Sequence, residues 1–277
     1  MNRRYDVCGL GLILRALLLK LGMAAALSGC IAHEESSASQ PIIDGELATE
    51  WPEAVLVRAD GYLDGRYAGG AVVSPHVVLT ADYVVDERYS EWEVTAPAAG
   101  GQSVKSYRAV TVDWGAPGYC DTKCQLAKVF APSTKKFYKY YHGVGLILLD
   151  EPIVLERYPE LKREPLPDGW LVRRLGTNRD GQFDGNLFVS APDAVYDGSP
   201  YNMPSDYVAA RKLLQGDGGG MVVEANYAGL HTIVAVNWGF GDGNKFHLDF
   251  WNEARQYDYL VRVDLLRKDI VKQIEQH

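Results

Sequence analysis

The chain has 277 residues, of which 47% are hydrophobic and 11% aromatic. That composition fits one large domain or two small packed lobes and excludes a disordered chain. Its formal net charge of −8 works against functions built on phosphate backbones or anionic headgroups, so a nucleic-acid-binding role is not expected.

The first segment reads as an export signal. Arg3 and Arg4 give a positive start, and Leu10 to Leu27 are mostly apolar. The run ends at Leu27-Ser28-Gly29-Cys30, which resembles a bacterial lipobox. Small residues before Cys30 fit a signal peptidase, and the Cys30 thiol would accept a diacylglycerol. An ordinary secretory signal or an N-terminal membrane helix are the alternatives. Arg15 and Lys20 interrupt the apolar run, which weakens a spanning helix of the ~20 residues required. On this reading residues 1–29 are removed, and with them Arg3, Arg4, Arg15, Lys20 and Asp6, so the net charge falls from −8 to −11. Ile31 does not match the aspartate associated with inner-membrane retention, which points to the outer membrane if the organism has one. Residues 30–41 then form a lipidated tether, since His33 to Pro41 are polar and have no apolar period.

From Ile42 onward, short apolar runs are bounded by Gly, Pro, Asn and Asp. Val55-Leu56-Val57, Ala71-Val72-Val73, Val77-Val78-Leu79, Leu146-Ile147-Leu148-Leu149, Met221-Val222-Val223 and Thr232-Ile233-Val234-Ala235-Val236 form the series. Many short strands without interleaved long helices predict an all-β barrel or sandwich. Cys120 and Cys124 are expected to form a small local disulfide in an oxidising compartment. Two thiolates could instead bind metal, but no second Cys or His pair stands nearby at zinc spacing. At the C-terminus, apolar residues at 263, 266, 270, 271 and 274 predict an amphipathic helix, with Asp264 in its first turn.

Several segments resemble the signature stretches of the trypsin-like serine proteases. Ile42-Ile43-Asp44-Gly45 resembles their mature N-terminus, and Gly69-Gly70-Ala71-Val72-Val73-Ser74 the strand before their histidine. Leu79-Thr80-Ala81-Asp82-Tyr83-Val84 resembles the histidine segment, with Tyr83 where the imidazole would stand. His142-Gly143-Val144-Gly145-Leu146-Ile147 resembles the aspartate segment, with Gly143 in place of the carboxylate. Gln215-Gly216-Asp217-Gly218-Gly219-Gly220 resembles the loop of the nucleophilic serine, whose hydroxyl is missing at Gly218. Asn237-Trp238-Gly239-Phe240-Gly241 is similar to the strand lining the substrate cleft. The resemblance implies an all-β fold of two packed antiparallel barrels of the chymotrypsin type with a C-terminal helix. It would divide residues 42–277 into a first barrel (42–155) and a second barrel plus helix (156–277).

The same resemblance places two customary disulfides at Ala68 with Val84 and at Leu214 with Asp242, and neither pair has a thiol here. It makes the Gly216 and Gly218 N–H groups an oxyanion-hole-like pair, although a permissive glycine turn explains them as well. It sets Lys212 at the floor of the specificity pocket, where a cation would favour an acidic partner unless it reaches solvent. Asp217 would pair with a freed amine at Ile42, but Pro41 precedes that junction where an activating enzyme would want Arg or Lys.

Peptide-bond cleavage needs a nucleophile, a base within ~3 Å and a group orienting that base. Gly218 and Gly143 supply no side chain, and a phenol with a pKa near ~10 is a poor base at neutral pH. The expectation is a non-catalytic homologue that binds an unidentified protein or peptide, without cofactor or metal, anchored to a membrane through Cys30. A hydrolase with relocated groups drawn from Ser74, His76, His142 and His231 is the alternative, and a structural envelope lipoprotein is the third. Lys135 to Tyr141 reads as a surface loop or a recognition patch. Asp180 to Gly185 reads as two turns, being a poor match to a calcium loop.

Overall fold

The computed structural model describes residues 45–61, 65–113, 128–131, 136–139, 143–177, 185–199, 205–210, 213, 217–225, 231–241 and 257–277. The expectations for Cys30, Cys120, Cys124, Gly216 and Lys212 lie outside the described residues, as does the Leu214–Asp242 pair. In chain order the first strands are β1 (Glu46–Leu47), β2 (Ala54–Gly61), β3 (Gly65–Ser74), β4 (Val77–Ala81), β5 (Tyr89–Ala96), β6 (Gln102–Ser106) and β7 (Ala109–Asp113). A two-stranded ribbon, β8 (Lys128–Ala131) and β9 (Lys136–Lys139), precedes β10 (Gly143–Leu148). There follow β11 (Glu160–Leu161), β12 (Trp170–Gly176), β13 (Phe188–Val189), β14 (Asp193–Asp197), β15 (Asp206–Ala210), β16 (Met221–Glu224), β17 (Thr232–Gly241) and β18 (Tyr257–Arg262). Helix α1 (Val263–Gln276) closes the chain.

The first sheet runs β6-β5-β2-β3-β4-β10-β7. Its central strands are Val-, Leu- and Ile-rich and buried at every residue of β4 and β10, as strands covered on both faces must be. Branched side chains also suit the pleat. Leu146 pairs with Leu79 on one side and Val110 on the other, so three apolar strands share one register. In the second sheet β12, β14, β15, β18, β17 and β16 pair in a closed ring, with β16 returning to β12. Closure leaves no free edge within the ring. Val172, Val195, Tyr207, Val222, Val234 and Leu260 pack together in one of the buried clusters. The short β1, although first in sequence, pairs with β13 of this second sheet, and β11 joins β17 in the one parallel pairing among the described residues.

The α1 stripe falls as the spacing predicts. Val263, Leu266 and Ile270 are buried, each contributing about 1.5–3 kcal/mol relative to exposure. Val271 and Ile274 are partly covered against the same core. Arg262 precedes the helix and donates from Nε and Nη2 to Asp264 at 3.1 and 2.7 Å. The all-β layout with one terminal helix is as expected from the sequence. Ala68 and Val84, the two thiol-less places, are both buried in the apolar core. Among the described residues no helix is long and apolar enough to cross a membrane.

Candidate functional site

The site forms where β4 ends. After Ala81 the chain makes a single 3-10 turn over Asp82–Val84, pinned by the Trp92 indole N–H donating to the Val84 carbonyl at 2.9 Å. This turn aims Tyr83 at the 217–220 loop. The Tyr83 ring meets Trp238 edge-on, with centroids 5.7 Å apart and planes at 85°. The exposed Arg66 guanidinium lies 4.9 Å above the same ring, within cation–π range.

A Cβ built on Gly218 would stand 1.5 Å from the Tyr83 phenolic oxygen and 2.8 Å from Cζ. Residue 218 can therefore carry no side chain while Tyr83 keeps its place. The tyrosine fills the volume into which a nucleophile at 218 would project. Burial pushes the Tyr83 phenol above its ordinary range; Arg66 opposes this, and Asp82 and Asp217 reinforce it. The group is neutral at physiological pH, a hydrogen-bond donor and no base.

Asp82, named in the sequence only as part of its segment, holds the site together. Its Oδ1 accepts the Tyr83 N–H and the Trp238 indole N–H, both at 2.7 Å. Its Oδ2 accepts the Gly143 N–H at 3.0 Å. One carboxylate thus ties together positions 83 and 143, and strand β17 through Trp238. Tyr83, Gly143 and Gly218, which the sequence singled out separately, meet at this carboxylate and phenol. The readable signal for Asp82 was an acid directly before the aromatic substitution.

Backbone packing shapes the loop. The Gly218 carbonyl accepts the Gly69 N–H at 2.9 Å, and the Gly219 N–H donates to the Asn237 carbonyl at 2.6 Å. Gly219 has φ +85° and would place a Cβ 2.3 Å from Thr80 Oγ1 and 2.4 Å from the Gly69 carbonyl oxygen. Thr80 Oγ1 itself donates to that carbonyl at 2.8 Å. Asp217 is fully buried.

Strands β12, β14 and β18 share an ionic cluster that sequence reasoning missed. Arg174 of β12 is fully buried; its guanidinium pairs with Asp193, with Asp258 at 2.5 Å, and donates to the Ala210 carbonyl at 2.9 Å. Asp258, opposite Phe240 in the β17–β18 register, also accepts the Leu213 N–H at 2.9 Å. Leu213 directly follows Lys212, where the resemblance puts the pocket floor. Two adjacent arginines inside an otherwise apolar strand, Arg173 and Arg174, were the available signal.

Of the residues weighed as relocated catalytic groups, His76 and His231 are engaged elsewhere. Ser74 is buried. His76 Nδ1 lies 3.1 Å from the Leu149 carbonyl oxygen. His231 stacks on Trp51 at 4.0 Å, and its Nδ1 bonds the Glu53 carboxylate. His142 lies outside the described residues. Among the described residues no serine hydroxyl is bonded to a histidine, and no group of three His, Cys, Asp or Glu could hold a metal. Of the segment 180–185 only Gly185 is described, at φ +79°.

No protein-family model matches the sequence, and no curated protein matches it. Solved structures do. The scabies mite inactivated protease paralogue S-I1 aligns at TM-score 0.58 with 17% identity, over 84% of this chain and all of the other. A second scabies mite inactivated paralogue, S-D1, aligns at 0.56 with 19% identity over 84% of this chain and 97% of its own. The VesB protease of Vibrio cholerae aligns at 0.56 with 18% identity over 86% of this chain and 68% of its own. At such identities the likeness shows the fold alone: a chymotrypsin-like fold, on which both inactivated proteins and a protease are built.

Proposed function

We propose that this chain is a non-catalytic serine protease homologue that binds a protein or peptide, held at a membrane by a lipid on Cys30. One observation carries the first half: the Tyr83 hydroxyl stands where a side chain at 218 would begin. A site that lacked only its serine would leave a vacancy there. This one is filled by a phenol, an indole and a carboxylate that contact one another and the neighbouring backbone N–H groups. Loss of the nucleophile alone costs about 10⁶ in turnover, and removing its partners as well adds little. What the region still offers a partner is an exposed Arg66 over an aromatic platform.

A fluorophosphonate probe is expected to leave the purified protein unlabelled; stoichiometric labelling at any serine would establish the hydrolase alternative. The anchoring half rests on the lipobox-like Leu27-Ser28-Gly29-Cys30. Cys30→Ala is expected to abolish incorporation of labelled palmitate and to move the protein from the membrane to the soluble fraction. Unchanged fractionation would remove the anchor. Binding through the cleft predicts that Arg66→Ala weakens capture of the partner, whereas an unaffected capture moves the interface elsewhere.

A further inference from the structure

Helix α1 carries a second surface, independent of the cleft. Its buried flank is Val263, Leu266 and Ile270. Along another flank Asp264, Arg267, Lys268, Val271, Lys272 and Glu275 face Arg163, just beyond β11, across an open groove of about 530 Å³. The charges there are not balanced. Asp264 is already held by two nitrogens of Arg262. Arg267 is steadied by its Nε donating to the Leu161 carbonyl at 3.2 Å, which leaves its two terminal nitrogens for the groove. Among the described residues Arg163, Lys268 and Lys272 have no carboxylate within ion-pair distance. Four cations therefore face a single uncommitted acid, Glu275, on a chain whose net charge is −8. A positive strip in a negative field draws anionic segments toward itself and leaves the rest of an acidic partner repelled.

We infer that this groove binds an acidic peptide segment of a protein partner, laid along α1. Shape decides between the anionic possibilities. The lining runs from 264 to 275, eleven helical steps or about 16 Å, so the cations are strung in a line and do not converge on one point as a phosphate site would require. An extended peptide rises about 3.3 Å per residue, so about five residues fill that length. Val271 and the aliphatic stems of Lys268 and Lys272 give the groove an apolar floor, which suits a segment mixing carboxylates with an apolar side chain.

The test is fluorescence anisotropy of the full chain with a fluorescein-labelled Glu-Glu-Leu-Glu-Glu peptide, and with its Gln-Gln-Leu-Gln-Gln analogue. The acidic peptide is expected to bind saturably at low salt, and the neutral one not to bind. The exposed pair Lys268→Glu and Lys272→Glu is expected to weaken binding about ten-fold, and the milder Lys268→Gln and Lys272→Gln about three-fold. Melting curves of both variants check that the fold persists. Equal binding of the neutral peptide, no binding of the acidic one, or affinity untouched by these variants would each overturn the inference. So would capture of anionic phospholipid vesicles through the same lysines without capture of the peptide. Arg66→Ala serves as the cleft control and leaves peptide binding unchanged, so this inference and the cleft reading fail separately.

Discussion

Gly218→Ser alone is expected to leave the protein inert to fluorophosphonate and to lower its stability by about 1–3 kcal/mol, the usual cost of overpacking. The new Cβ would lie 1.5 Å from the Tyr83 phenolic oxygen, so either the loop or the ring must give way. The ring is held by the edge contact with Trp238 and by Arg66 above it. The loop is held by the Gly69 N–H and by the Asn237 carbonyl. Tyr83→Ala removes the obstruction, so Tyr83→Ala with Gly218→Ser should show a favourable coupling of at least about 1 kcal/mol relative to the sum of the two single changes. Urea unfolding of the four proteins measures this. Additive effects would mean that the phenol does not occupy the side-chain position at 218. The double variant still lacks a base and its orienter, so it is not expected to turn over peptides.

Arg174→Met should be more damaging, at about 3–5 kcal/mol, because it leaves Asp193 and Asp258 facing each other in the interior with no cation. The asymmetry is physical. A buried ion cluster contributes little compared with a well-packed apolar or neutral replacement, but breaking half of it exposes the full desolvation cost of what remains. Adding Asp193→Asn and Asp258→Asn to Arg174→Met should therefore recover most of the loss, and the amide oxygen at 258 can still accept the Leu213 N–H. Thermal and urea unfolding distinguish the cases. A single variant as stable as the parent would show that Arg174 does not neutralise the two carboxylates.

The strand series from Val55 to Val236 could be read from apolar runs and turn residues, and α1 from its stripe. Both signals are local and repeat with the period of the element that produces them. Asp82 and Arg174 show what such signals lack. Each is a charged residue in a stretch that reads as strand or turn, and neither declares its partner. The partners of Asp82 come from positions 143 and 238, those of Arg174 from 193 and 258. The β4–β10 pairing brings 143 to Asp82, and the closed ring of β12, β14, β15, β18, β17 and β16, packed beside the first sheet, brings the others within hydrogen-bond reach. Resemblance to a protease pattern also could not tell an open space at 218 from a filled one.

What the chain determined by itself is the element order, the C-terminal stripe and the absence of a hydroxyl, an imidazole and a carboxylate at 218, 83 and 143. The tertiary structure alone decided that these three positions are interlocked. A phenol from one segment fills the space that a glycine in another leaves open, and a neighbouring aspartate ties the third. Steric exclusion between 83 and 218 and hydrogen bonding between 82 and 143, residues more than sixty positions apart, depend on distance in space, and no spacing along a sequence encodes it.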